Sequence, residues 1–356
     1  MNLNQRQQQI LWATVRQYIA TAEPVGSKAL VEEYNLQVSA ATIRNSFTIL
    51  EKAGLLYQPH TSAGRVPSDS GYRLYVDRLL QTDLAAGKQA EQQLSSQLDW
   101  ERWSLEALLR GAAQILATLS GYIAIITPPE TNHLTVRHLQ LVPIEPRQLM
   151  VIVVMDSYQS QSLLIDIPFT NDDALAAAAE LEVLSNFLNS QMRGRSIAEL
   201  ASLDWSELHQ RFPSYAVVIS RLLTFLQHQI GASKSTQVMM RGFSEVLRQP
   251  EFSELEQVKT LLQLLEAEPE QIGQMILTAG DITGRKSERL SVRIGTENSW
   301  EPMHICTLIS STYGQDDLSV GSISLLGPKR MLYENAIPLV QATADYISEA
   351  LSASKI

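Results

Sequence analysis

The 356-residue sequence predicts a multidomain α+β protein, and three observations carry that expectation. The chain is longer than one hydrophobic core usually serves. Its first eighty residues read as short helices and a polar hairpin, whereas the rest mixes strand-like apolar runs with long helical stripes. Charge divides at the same place: residues 1–80 hold eight Lys/Arg against six Asp/Glu, net +2, inside a chain of net charge −10. The remaining 276 residues therefore carry −12.

Composition narrows the function classes. Hydrophobic residues make up 45% and charged residues 19%, an ordinary globular balance rather than a disordered or fibrous one. The longest clean apolar run, Leu149–Met155, falls far short of the roughly 18 residues that a membrane-spanning helix needs. The opening Met1-Asn2-Leu3-Asn4-Gln5-Arg6 carries no apolar signal core. No membrane association is expected, and a single cysteine, Cys306, suits a reducing cytoplasm.

Residues 5–20 place Ile10, Leu11, Thr14, Val15, Tyr18 and Ile19 on one helical stripe. Pro24-Val25-Gly26 breaks that helix, and Ser27 caps a second one, Lys28–Tyr34, expected to bury Leu30 and Tyr34. Ser39 caps a third, Ala40–Ala53, with Ile43, Phe47 and Leu50 inward and Gly54 as its stop. Leu55–Gln58 and Arg65-Val66 read as strands of a hairpin that Pro67 ends. A helix capped by Ser68 or Asp69 then turns Tyr72, Tyr75, Val76 and Leu79 to one face. Three helices followed by a hairpin is the order of a winged helix-turn-helix.

Residues 81–98, rich in Gln, Ala and Ser with weak periodicity, read as a solvated connecting helix or linker, and the linker is expected to run over 81–103. Beyond it lie a strong helical stripe from Leu105 to Leu119 and a strand at Tyr122–Thr127. A three-stranded antiparallel meander follows at Val136–Val142, Leu149–Met155 and Ser162–Ile167, then helices from Asp172 to about Gln229. The last third offers strands at Ser291–Ile294, Ile305–Ser310 and Gly321–Leu326 and a closing helix, Asn335–Leu351.

The third helix turns Ala41, Arg44, Asn45, Thr48 and Lys52 outward. Arginine bonds guanine N7 and O6, asparagine bonds adenine, and small side chains admit the backbone to thymine methyls. A merely solvated helix is also polar, but the hairpin that follows carries His60, Thr61, Ser62, Gly64 and Arg65, with no acid between Lys52 and Asp69. Hydroxyls and cations without acids are what phosphate contact requires, and a cationic wing tip can enter a minor groove. Helix and wing together favour DNA binding over a winged helix that docks protein.

Three features have blander readings. Gly280–Ser287 has the wrong glycine spacing for a phosphate loop, with Arg285 before Lys286. His133 and His138 share neither a strand side nor a helix face. Cys306, within an apolar strand beside His304, suits a buried structural thiol. No catalytic constellation stands out, so neither an enzyme nor a cofactor is expected.

The run Ser39-Ala40-Ala41-Thr42-Ile43-Arg44-Asn45, then Leu55-Leu56, Gln58 through Ser68, Gly71-Tyr72-Arg73 and Tyr75-Val76-Asp77 closely resembles the HrcA family of bacterial heat-inducible transcription repressors. Further matches are Leu188-Asn189, Pro250-Glu251-Phe252, Ile294-Gly295 with Glu297-Asn298, and Gly321-Ser322-Ile323 through Gly327-Pro328-Lys329-Arg330-Met331 with Tyr333. Within the recognition helix, Ser46, Phe47, Thr48 and Lys52 stand where relatives commonly carry more acidic residues.

The resemblance implies a winged helix-turn-helix at 1–80 and a GAF-like domain split between 104–129 and 235–356. A dimerising α+β insert at 130–234, the meander with its helices, would interrupt it. It implies a homodimer on an inverted-repeat operator in double-stranded DNA upstream of chaperone genes, with activity supported by the GroE chaperonin. The expected contacts are Ser39, Ala41, Thr42, Arg44, Asn45 and Thr48 on the recognition helix, with Lys28, His60, Thr61, Ser62, Gly64, Arg65 and Arg73 on the wing and its flanks. A regulator gated by a small molecule in the GAF-like domain is the alternative.

Overall fold

A computed structural model describes residues 3–34, 36–99, 102–129, 135–145, 148–155, 160–166, 174–196, 199–200, 205, 212–232, 238–253, 276, 289–315 and 318–353. The fold is mixed α+β and divides into two compact units, Met1–Pro128 with Gln237–Ile356, and Pro129–Thr236.

In the first unit, α1 (Gln5–Thr21) starts at a capping box: Gln7 N–H donates to Asn4 Oδ1 at 2.9 Å while Asn4 N–H donates to Gln7 Oε1 at 3.0 Å. Its stripe buries Ile10, Leu11, Val15 and Ile19 against Leu30 of α2 (Ser27–Tyr34) and Ile43, Phe47 and Leu50 of α3 (Ala40–Lys52). Burying each large aliphatic side chain contributes about 1.5–3 kcal/mol, which fixes the three helices on one another. Tyr34 is not buried as expected. It stands half-exposed, edge-on to Trp12 at 5.7 Å, because α2 ends there at the rim of the cluster.

The hairpin is short, β1 (Leu56–Tyr57) against β2 (Val66–Pro67). Pro67 does not stop the ladder but belongs to it, opposite Leu56, as the last residue of its strand, where a missing N–H is tolerated. Val25 and Arg65 add an antiparallel bridge at 2.9 Å in both directions. Gly64 has no room for a side chain, since a Cβ there would lie 2.4 Å from the Val25 carbonyl. Ser68 caps α4 (Asp69–Leu74), accepting from Gly71 N–H at 3.1 Å, and a π-helical turn, Tyr75–Leu79, continues it.

The stretch expected as a solvated connecting helix or linker contains α5 (Leu84–Gln97), and the helix is packed rather than solvated. Ala86, Ala90, Leu94 and Leu98 form a stripe at intervals of four, buried against α10 (Tyr333–Ala353). Two of its four members are alanines among Gln and Ser, so its hydrophobic signal in the sequence is weak. Pro338, inside α10, leaves the Glu334 carbonyl without its helical donor, and Asp83 N–H fills that place at 2.9 Å.

With α6 (Leu105–Ser120), α10 covers one face of a five-stranded antiparallel sheet. Its strands are β3 (Ile123–Thr127), β7 (Met239–Arg241), β8 (Leu290–Ile294), β9 (Cys306–Gln315) and β10 (Leu318–Pro328), in the order β7-β3-β10-β9-β8. β7 is too short to have been read from the sequence, a one-turn α9 (Phe243–Val246) follows it, and β9 and β10 outrun the expected segments.

In the second unit, β4 (Val136–Glu145), β5 (Gln148–Met155) and β6 (Ser160–Asp166) make an antiparallel meander under α7 (Ala174–Met192) and α8 (Ala216–Ala232). Leu149, Val151 and Val153 face the core with Leu184, Leu188 and Leu222. Asn189 closes the β4 edge as a strand would: its Oδ1 accepts from Leu139 N–H and its Nδ2 donates to Leu139 O, both at 2.7 Å. On the far sheet face Met150, Ile152 and Val154 are only half-buried, beside exposed Ile144 and Leu164.

Among the described residues no helix is long and apolar enough to cross a membrane. Nor does any group of three or more His, Cys, Asp or Glu there stand where it could hold a metal. His133 and the Gly280–Ser287 segment lie outside the described residues. Cys306 is fully buried, and burial pushes its thiol up to about 12, so it is not a nucleophile at neutral pH.

Candidate nucleic-acid interface

α3 presents Ala41, Arg44, Asn45, Thr48 and Lys52 to solvent on the face opposite Ile43, Phe47 and Leu50. Ser39 opens it, its hydroxyl accepting from Thr42 N–H at 3.2 Å and lying 3.1 Å from the Thr42 hydroxyl. Both residues are thus occupied as a cap, at a helix N-terminus whose remaining amides favour an anion. Arg44 Nε donates to the buried Ser27 hydroxyl at 3.2 Å, which anchors the base of the guanidinium and leaves its terminal nitrogens toward solvent. Ser46 and Phe47 are buried, so they take no part in the outward face.

Lys28 is exposed on α2, and His60, Thr61 and Ser62 are exposed at the hairpin loop. That loop has an internal brace that sequence reasoning missed: Gln58 Nε2 donates to Thr61 O at 3.0 Å and to Ala63 O at 2.9 Å. Two large apolar side chains beside this surface were missed as well, Ile49 at 45% exposure and Tyr57 at 49%. Ile49 follows Asn45 by four residues, so the helical period alone placed it on the outward face.

Two expected contacts are engaged elsewhere. Arg65 does not sit at the hairpin tip; it lies at the base, bridged to Val25, and its guanidinium pairs with Glu51 at 3.0 Å. Arg73 turns away from the hairpin toward the sheet, pairing with Glu297 and with Asp77 at 3.1 Å and donating to Val292 O. Those acids raise its already high pKa further against the cost of burial.

Arg73 belongs to a clasp joining α1 and α4 to the sheet end of the unit. Asp69 accepts from Lys329 Nζ at 2.7 Å, from Thr296 N–H at 2.9 Å and from the Thr296 hydroxyl at 3.0 Å. Burial pulls its carboxyl upward, but the bonds from Lys329 and Thr296 outweigh that and hold it below the usual range. Gly295 makes the approach possible: its φ is +53° and any Cβ would meet the Asp69 carboxylate at 2.3 Å. Arg330 closes the other side, donating to Ile19 O at 2.9 Å, to Gln249 at 3.2 Å and to both oxygens of Glu251.

The arrangement leaves Lys28, Arg44, Lys52 and His60 exposed together with hydroxyls and an asparagine, while Glu51, on the same helix as Arg44, is already paired with Arg65. Chemically it offers donors for base edges and phosphate oxygens on one convex element and one loop.

The HrcA protein C-terminal domain model matches residues 106–337. The chain is 54% identical to the heat-inducible transcription repressor HrcA of Trichormus variabilis (strain ATCC 29413 / PCC 7937), over 99% of this chain and 100% of that one. It is 52% identical to HrcA of Synechococcus elongatus (strain ATCC 33912 / PCC 7942 / FACHB-805), over 98% of each, and 47% identical to HrcA of Thermosynechococcus vestitus (strain NIES-2133 / IAM M-273 / BP-1), over 99% of each. Its fold is similar to the crystal structure of a hypothetical protein, with a TM-score of 0.65 at 24% identity over 99% of both chains. The residues that carry the resemblance span the exposed helix face, the clasp and the Asn189 edge, and the chain belongs to the HrcA family of heat-inducible transcription repressors.

Proposed function

We propose that this repressor reads DNA through residues 1–80 as a winged helix-turn-helix, with α3 in the major groove and the Gln58-braced loop as its wing. The observation that carries this reading is the α3 face itself: Arg44, seated on Ser27, projects with Asn45 and Thr48 from a surface whose nearby acid, Glu51, is held by Arg65. Arg44 and Asn45 would read base edges, while Lys28, Lys52, His60, Thr61 and Ser62 would hold the backbone. Arg65 and Arg73 support that surface from within the protein.

The remainder of the first unit is read as a GAF-like domain and the second unit as an insert that makes a homodimer. Half-buried Met150, Ile152 and Val154, with exposed Leu164 and Ile144, give that insert an apolar sheet face suited to a second copy. Two-fold symmetry would then match an inverted-repeat operator upstream of chaperone genes, in the cytoplasm, with GroE supporting the active form. The acidic body, at −12 per chain, would suppress non-specific binding.

A footprint of the purified protein on the promoters of its own genome's chaperonin operons, with and without added chaperonin, tests this. Two symmetric protected half-sites that strengthen with chaperonin are expected. Protection indifferent to chaperonin would remove that partner, and no protection anywhere would overturn the operator reading.

A further inference from the structure

Ser27 opens α2 and is 8% exposed, although the next residue along the helix, Lys28, stands in solvent. A buried hydroxyl needs a partner, because leaving water without one costs free energy. The partner of Ser27 is Arg44 Nε, which donates to its oxygen at 3.2 Å from α3, 17 residues on in sequence. The Thr48 hydroxyl, by contrast, donates to the Arg44 carbonyl at 3.1 Å, inside its own helix. Arg44 is thus held from outside the element that carries it.

That bond limits what the guanidinium can offer. An untethered arginine presents two kinds of donor pair to a base edge, Nε with one terminal nitrogen or the two terminal nitrogens together. The bond to Ser27 spends the single Nε–H. What remains is the end-on pair, Nη1 and Nη2, whose parallel N–H groups match the O6 and N7 acceptors of guanine in a major groove. Holding Nε also fixes the side-chain torsions before DNA arrives, so less conformational freedom is lost on binding.

We propose that Ser27 is a positioning residue for DNA recognition: it holds Arg44 so that the two terminal nitrogens read one guanine end-on, and it does not touch DNA itself. The proposal rests on α3 lying in the major groove, and adds to that reading the base that is read and the group that aims the reader.

The test is selection from a randomised duplex pool by the purified full chain, then titration of the enriched duplex and of copies changed at single base pairs. Wild type, Ser27→Ala, Ser27→Thr, Arg44→Ala and the double variant Ser27→Ala with Arg44→Ala are compared. Wild type should prefer G·C at a position where Arg44→Ala has no preference. Ser27→Ala should bind the enriched duplex about two- to tenfold more weakly, the cost of ordering one long side chain at the moment of binding. It should lose preference at that position alone. Its affinity for scrambled duplex and its salt dependence should match wild type, because the guanidinium charge is kept. Ser27→Thr keeps the acceptor and should restore the preference, whereas in the Arg44→Ala background Ser27→Ala should change nothing further. Ser27→Ala removes one oxygen and should keep the wild-type urea midpoint, so the double variant carries the test if Ser27→Thr does not fold. A loss equal on all duplexes, which is what a direct phosphate contact from Ser27 gives, would overturn the proposal. So would the same base preference in wild type and Ser27→Ala. Both outcomes leave the operator reading standing, whereas a pool from which wild type enriches no site would overturn that reading and this proposal together.

Discussion

On the face of α3, Arg44 meets one hydroxyl and, among the described residues, no carboxylate, whereas in the clasp Arg330 meets both oxygens of Glu251, the Gln249 amide and the Ile19 carbonyl. Arg44 is exposed, and the Arg330 side chain is 10% exposed. The same side chain is thereby given two tasks. Where the fold supplies partners, a guanidinium joins elements distant in sequence; where it supplies none and leaves the group at the surface, the charge stays available to an outside anion. Arg65 and Arg73, expected among the DNA contacts, fall on the partnered side of that division.

Substitutions can break this contrast. Arg330→Ala strands Glu251 and the Ile19 carbonyl and should lower stability by about 3 kcal/mol, read from urea unfolding. Arg44→Ala should leave the urea midpoint unchanged and cost about 1–3 kcal/mol on operator, with relaxed base preference in competition against scrambled DNA. If Arg44→Ala unfolded the protein, or Arg330→Ala only weakened DNA binding, the two regions would not differ as described.

Asp69→Asn sharpens the contrast through pH. The folded carboxyl is held below its ordinary range, so its contribution is fully present above the unfolded value and is lost as pH falls through the folded one. Wild type should exceed the variant by about 1–2 kcal/mol near neutrality, and the two should converge below about pH 4. A gap that widened in acid would contradict the assignment. The smallest effect belongs to Lys28→Ala, which should weaken all DNA sequences alike and reduce the slope of log affinity against log salt by about 1.

Local features were legible in the sequence because their causes are local. The caps at Ser39 and Ser68, the Ile43-Phe47-Leu50 stripe and the outward row from Ala41 to Lys52 all follow from helical spacing, and the structure has them. The clasp was not legible: Asp69 and Lys329 are 260 residues apart, and Arg73 and Glu297 are 224 apart. No period or motif connects such residues, so Arg73 looked like one more cation beside the wing. The packing of α5 was hidden for a different reason, since alanines at 86 and 90 give little hydrophobic signal while allowing close approach to α10.

The bond from Asp83 N–H to the carbonyl that Pro338 frees sets an order of events. The helix just beyond residues 1–80 finds its seat only on the last described helix of the chain. During synthesis at about 5–20 residues per second, the roughly 250 residues between Asp83 and Glu334 leave α5 without that seat for about 10–50 s. Contacts so far apart in sequence also form slowly. A newly made copy therefore has α1, α2 and α3 well before it has the support beneath them, and the time to completion of this unit is set by the end of translation rather than its beginning.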